Sequence, residues 1–243
     1  MSLVRAELRK LLGLPTAWAG LILGSLLAPV VVLLNAGSVR RAPVDADTGM
    51  MELGVGLIGP MILGVVALSS EYTSTGEDAP GARQLTATLI AAPRRMRLLA
   101  GKTAALVLLV AAQAAVTTAA TVTLTQVLHG DRVPVPAAGR LAAAVLYWVL
   151  TALLAYAIVL ITRNGIVPLA FLIVNSTFVS VSYLLTKVTD AAAYLPDIAG
   201  AQMFIRTSDF PVELSPAAAG LVMSAWVAAF LAAGALLFQR RDA

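Results

Sequence analysis

The sequence has no cysteine, a single histidine and few charges. Without thiols there can be no disulfide, thiolate zinc site, cysteine-ligated cluster or cysteine nucleophile, and nothing is implied about redox compartment. Charged residues make up 12% of the 243, whereas an ordinary soluble domain carries about 25%. Too few charges remain to face water all round. HExxH, GxSxG and paired-aspartate motifs are also missing. His129, in HGDRVPVP beside Asp131, is one imidazole next to one carboxylate, which makes neither a metal site nor a triad and reads as a loop residue. No basic run interleaved with aromatics exists, so the net charge of +4 and pI near 9.8 do not point to nucleic acid.

What is present is hydrophobicity in blocks. Apolar residues are 59% of the chain and the mean hydropathy is +0.88. The blocks fall at about 16–36, 51–70, 103–127, 140–162, 165–186 and 214–238. Each is close to the roughly 20 residues that cross a bilayer as a helix. The predicted class is therefore all-α, a polytopic membrane protein with six transmembrane helices in a single domain over 1–243. The fourth and fifth blocks are parted only by Thr162-Arg163-Asn164-Gly165, which predicts a tight hairpin. The first block, although preceded by Arg5, Arg9 and Lys10, is longer than a signal-peptide core and lacks a small-x-small site, so it reads as a retained span. Before it, Ser2 to Leu14 puts Val4, Leu8, Leu11 and Leu12 on one helical face and the basic residues on the other. That pattern fits a helix lying in the membrane interface, or more simply a basic flank of the first span.

Charge distribution orients the chain. With both termini in the cytoplasm, eleven of the 17 Lys and Arg lie inside and six outside, and most acidic residues are outside, as the positive-inside rule requires. The expected location is the cytoplasmic membrane. Two loops are long: a cytoplasmic one over 71–101, opened by Glu71 at the end of span two, and an external one over 187–213.

Gly101-Lys102-Thr103 ends like a phosphate-binding loop, but Met96 stands where its first glycine belongs and a span follows, so Lys102 reads as an interfacial anchor. No span carries a charged residue or histidine near its centre, which weighs against proton-coupled transport. Hydroxyls and amides occur instead: Gln113, Thr117, Thr118, Thr121, Thr123 and Thr125 in the third span, and Asn175, Ser176, Thr177, Ser180 and Ser182 in the fifth. Asn175, Thr177 and Ser180 are candidates to line a path; back-bonding to their own helix is the plainer alternative. Gly20 and Gly24 form a GxxxG, and Pro29 and Pro60 are expected to kink their helices.

In the cytoplasmic loop, Arg83 to Ala92 reads as a short amphipathic helix with Leu85, Thr88 and Leu89 at helical spacing, stopped before Pro93 and followed by Arg94, Arg95 and Arg97. The strings Glu71-Tyr72, Gly81-Ala82-Arg83-Gln84-Leu85, Thr88-Leu89, Ala92-Pro93-Arg94-Arg95 and Lys102, in that order, resemble the cytoplasmic loop of ABC-2-type permeases, the membrane subunits of ATP-driven exporters. Tyr194-Leu195-Pro196 with Ala199-Gly200 resembles the family's external loop, and Arg240-Arg241-Asp242 a common ending. The resemblance implies a permease paired with a second copy or a related subunit and with separate ATPase subunits. Arg83–Ala92 would then be the coupling helix docking on the ATPase, and short external helices would include Tyr194, Pro196 and Gly200. It implies no catalytic residue and no cofactor or metal bound by this chain, ATP and Mg residing on the partner. The acidic stretch Thr73–Pro80 is longer than that pattern usually has. An ATP-independent membrane binding, immunity or sensor protein is the alternative, and would need no coupling helix.

Overall fold

In the computed structural model, residues 3–39, 45–69, 95–166, 169, 170, 172, 181–206, 210 and 212–241 are described. Every regular element among them is helical: α1 Leu3–Leu12, α2 Pro15–Val39, a 3-10 turn Met51–Leu57 leading into α3 Ile58–Ser69, α4 Arg95–His129 with a 3-10 turn Gly130–Arg132, α5 Ala138–Thr162, α6 Val181–Thr186, a 3-10 turn Asp190–Tyr194, α7 Pro196–Gln202, and α8 Pro216–Arg241. Five stretches are long and apolar enough to cross a membrane: Pro15–Ala36, Met51–Ser69, Met96–Arg132, Ala138–Thr162 and Pro216–Phe238. The described fold is all-helical, with the long apolar helices of a membrane protein. Half of the fifth block, 165–186, lies outside the described residues, as do Glu71, Arg83–Ala92, Pro93, Arg94, Asn175, Thr177 and Ser180.

α5 is the axis of the bundle. It packs against α3, α4 and α8, while α2 lies on α3 and α4. Accordingly 72% of its apolar window is buried, against 28% for α2 and 22% for α8. Trp148, Tyr156 and Leu160 of α5 share one core with Leu63 of α3, Leu106 and Val110 of α4 and Met223 of α8, all almost fully buried. The outer faces are as apolar as the inner ones: Ile22, Leu26 and Leu33 of α2, Leu108 and Val116 of α4, and Leu221 of α8 are exposed. In water such faces would drive aggregation; against lipid they are the expected surface.

Since lipid tails are as apolar as leucine, close backbone approach rather than hydrophobicity must hold such helices together. The GxxxG of α2 does this against α3. Gly24 stands so near that an added Cβ would lie 3.0 Å from Gly59 Cα, and a Cβ on Gly59 would collide with the α2 backbone.

Two local readings come out differently in the structure. Pro60 falls in the first turn of α3, just after the 3-10 turn, where its missing N–H breaks no helical bond. The change from 3-10 to α geometry takes the place of a kink inside one long helix. The helix of the third block starts at Arg95, two turns before Thr103, because Leu98 and Leu99 find buried positions beside α1. Arg95 and Arg97 thus lie on the first turn of α4 and not in a loop. The hairpin after α5 is capped: Arg163 takes a left-handed conformation (φ 55°), its N–H bonds Val159 O at 2.7 Å, and Asn164 Oδ1 accepts from Ile166 N at 2.9 Å to start the next helical segment.

Candidate functional site

At one end of the bundle α1 lies across the base of α4. Its inward face carries Val4, Leu8 and Leu11 as the periodicity requires, but also Glu7, only 6% exposed. Lys102 Nζ donates to Glu7 Oε2 at 2.8 Å, and Lys102 itself is 3% exposed. Lys102 is therefore half of a buried ion pair, not a free interfacial anchor. Gly101 beside it has no side chain because Leu3 occupies that space; an added Cβ would lie 2.6 Å from Leu3 Cδ2.

At the opposite end a second buried pair ties three segments together. Asp47, fully buried, accepts from Arg140 Nη2 at the start of α5 and from the Arg206 N–H, at 3.1 and 3.0 Å to its two oxygens. Arg140 also donates from Nε to Phe204 O at 2.6 Å and from Nη1 to Ala46 O. One guanidinium and one carboxylate thus fasten the turn before Met51 and the segment after α7 to the mouth of α5. Gly49, with φ +85°, lets that turn close against Thr125 of α4, where any Cβ would strike the threonine.

From Lys102 to Thr125 along α4 is about 35 Å at 1.5 Å per residue, a little more than the roughly 30 Å hydrocarbon core of a bilayer. The two charged clusters thus lie about a hydrocarbon thickness apart along α4. Between them the buried polar atoms of α4 are uncharged. Gln113 Nε2 donates to Gly20 O at 3.1 Å and Leu21 O at 3.0 Å, so the α2–α4 crossing is hydrogen-bonded at the GxxxG. Gln113, Thr117, Thr121 and Thr125 recur every fourth residue on a single buried face; Thr125 back-bonds to Thr121 O at 2.9 Å, whereas Gln113 Oε1 and the hydroxyls of Thr117, Thr118 and Thr121 have no partner among the described residues.

A strongly apolar cavity of about 250 Å³ lies beneath α7. Leu195 and Pro196 roof it. Leu154 and Ile158 of α5 and Met61 of α3 line one side, and Met223, Trp226 and Phe230 of α8 the other. Its polar lining is confined to Tyr147, Thr151, Ser182 and Asp197. Trp226 Nε1 donates to Tyr194 O at 2.8 Å, which pins the roof to α8. Gly200 of α7 rests on the Tyr147 ring with no room for a Cβ, and Tyr147 stacks at 5.6 Å on Phe204.

Of the residues singled out from sequence, Tyr194, Pro196 and Gly200 are brought together around this cavity, on the short helical elements expected in that loop. Arg95 opens α4. His129 lies at the other end of α4, its Nδ1 3.1 Å from Thr125 O, to which it donates. Glu7, Asp47 and Arg140 were not legible as a set: Glu7 sits in an otherwise basic segment, and Asp47 and Arg140 looked like ordinary loop charges. The one available signal was Glu7 falling on the apolar face of its helix. Comparison with protein-family models, with curated proteins and with solved structures returns no match.

Proposed function

We propose that the chain is the membrane-spanning permease subunit of an ABC exporter. It has six spans with both termini in the cytoplasm, and two copies or related subunits form the path for an amphiphilic substrate. Separate ATPase subunits bind ATP and Mg and dock on Arg83–Ala92, with Leu85, Thr88 and Leu89 facing the partner and Pro93, Arg94 and Arg95 setting the helix against the membrane. Glu71 closes the preceding span on the same side. Asn175, Thr177 and Ser180 face the path. The permease itself hydrolyses nothing.

One geometric observation carries this reading beyond the resemblance. The helix that follows the proposed coupling segment, α4, is not loosely attached at its base. It is clamped to α1 through the buried Glu7–Lys102 pair and to α2 through Gln113. A push on Arg83–Arg94 therefore reaches α1, α2 and α4 as a unit, which is what a motor-driven permease requires. Only differential contacts between inward- and outward-open states can convert that push into transport.

The second reading, a stand-alone membrane binding or immunity protein, draws on the cavity within a single copy. Affinity purification of the tagged chain in mild detergent separates the two. A stoichiometric ATPase that is lost in the Leu85→Asp, Leu89→Asp double variant supports the transporter. A well-folded chain that repeatedly purifies alone supports the other.

A further inference from the structure

The apolar stretch Met51–Ser69 is built in two geometries. Met51–Leu57 winds as a 3-10 helix of 7 residues, and the remaining 12 form α3. Runs of 3-10 helix beyond about 3–4 residues are uncommon because their hydrogen bonds are poorer, and one inside a longer helix often marks a hinge. A run this long needs something to hold it.

The structure restrains it at both ends. Asp47, four positions before the run, accepts from Arg140 and from the Arg206 N–H, which fastens it to α5 and to the segment after α7. Met51 N donates to Asp47 O at 3.0 Å, and Gly49 N to Glu52 Oε2 at 2.9 Å, so that anchorage extends into the first turn of the run. At the inner end a Cβ on Gly56 would strike Trp148 of α5, and one on Gly59 the α2 backbone. Between the anchors Gly54 has nothing within 4 Å of where a Cβ would stand, which leaves room for the wider α-helix.

The separation of the anchors favours the longer form. Seven residues rise about 14 Å as 3-10 helix and about 10.5 Å as α-helix. Rewinding would shorten the run by about 3.5 Å. It would also turn the outer end by about 140°, since each residue advances about 100° in place of about 120°. Pro60 would then sit inside one continuous helix with its ring against the Gly56 carbonyl, where proline bends the axis. The two forms differ in length, twist and bend, as the two states of a hinge do.

We propose that Met51–Leu57 is a hinge held long by the Asp47–Arg140 latch, and that release of the latch rewinds it into α-helix. Asp47 then moves toward α3 while Met51 swings round the axis. A movement of the segment after α7 is thereby passed to α3, and to α5 where Gly64 meets the Ala152 carbonyl. The hinge packs against α2, α3, α4 and α5 and requires no ATPase.

The test labels single cysteines, placed in the otherwise thiol-free full chain, with N-ethylmaleimide in mild detergent. Leu53 is fully buried and Met51 is 52% exposed. Rewinding turns Leu53 by about 100° and Met51 by about 140°, bringing the first outward and the second inward, but turns Leu57 by only about 20°. Adding Asp47→Ala should make Leu53→Cys react about tenfold faster or more, as a buried site does when it opens. Met51→Cys should react more slowly, and Leu57→Cys should keep its slow rate. Faster reaction at both Leu53→Cys and Met51→Cys shows that the run frays, and unchanged rates show that it does not move; either overturns the proposal. If Leu53→Cys fails to fold, judged by its melting curve, spin labels on Met51→Cys and Leu34→Cys decide, Leu34 being 74% exposed on α2. With labelled chain diluted in unlabelled, Asp47→Ala should shift their separation by about 4 Å or more as one narrow peak. A broadened or unshifted peak overturns the hinge.

Discussion

Lys102 Nζ and Glu7 Oε2 meet at 2.8 Å although 95 positions separate them in the chain. The pair joins α1 to the foot of α4, and both side chains are out of solvent, 4% and 8% exposed. Taking one partner from a buried pair leaves an uncompensated charge and costs about 3–5 kcal/mol, whereas replacing both by apolar groups is often neutral. Glu7→Ala and Lys102→Met singly should each lower the melting temperature in detergent, and Glu7→Leu with Lys102→Met should recover most of the loss. A double variant no better than the worse single would show that the pair is not coupled.

The knot at the other end predicts a local effect. Asp47→Ala removes the acceptor of both Arg140 and the Arg206 N–H, and should free the segment after α7 before the bundle melts. Trypsin should then cut after Arg206 about tenfold faster or more, in keeping with a local opening that loses one buried charge partner. Cleavage elsewhere in the described helices should keep its wild-type rate.

Helix crossing at glycine gives a contrast within a few residues. A Cβ at Gly59 would enter the α2 backbone, whereas Gly54 has nothing within 4 Å of where a Cβ would stand. Gly59→Ala should destabilise by about 1–3 kcal/mol through overpacking. Gly54→Ala should be neutral or slightly stabilising. Unfolding in increasing denaturing detergent compares the two directly.

Topology can be read without first removing any thiol, since the sequence has none. Val188→Cys, at an 82% exposed position in the 187–213 loop, should react with a membrane-impermeant maleimide in intact cells. Arg97→Cys should react only after permeabilisation. The opposite pattern would invert the proposed orientation and place Arg83–Ala92 outside, where no ATPase could reach it.

How much of this could be read from the residues depends on distance along the chain. The spans are legible because hydropathy is a property of neighbours: Pro15–Ala36 and Pro216–Phe238 follow almost directly from their blocks. The hairpin at Thr162–Gly165 is legible for the same reason. Pairings are not. Glu7 with Lys102, Asp47 with Arg140 and Gln113 with the α2 carbonyls each join residues more than ninety positions apart, and no local pattern encodes them. The start of α4 was hidden in another way. Its first two turns are more polar than the span, so a hydropathy edge falls near Thr103 while the helix itself runs back to Arg95. Tyr194, Pro196 and Gly200 stood out as a loop motif, but that Pro196 roofs a cavity while Tyr194 binds Trp226 and Gly200 rests on Tyr147 follows only once α7 folds onto α5 and α8.

The place of α5 at the axis has a consequence for biosynthesis. α2, α3 and α4 can associate as soon as they are in the bilayer, through Gly24, Gly59 and Gln113. α5 then enters with one flank still open to lipid, because the partner of that flank is α8. Until α8 is threaded, Leu154 and Ile158 lack the wall that Met223, Trp226 and Phe230 later supply.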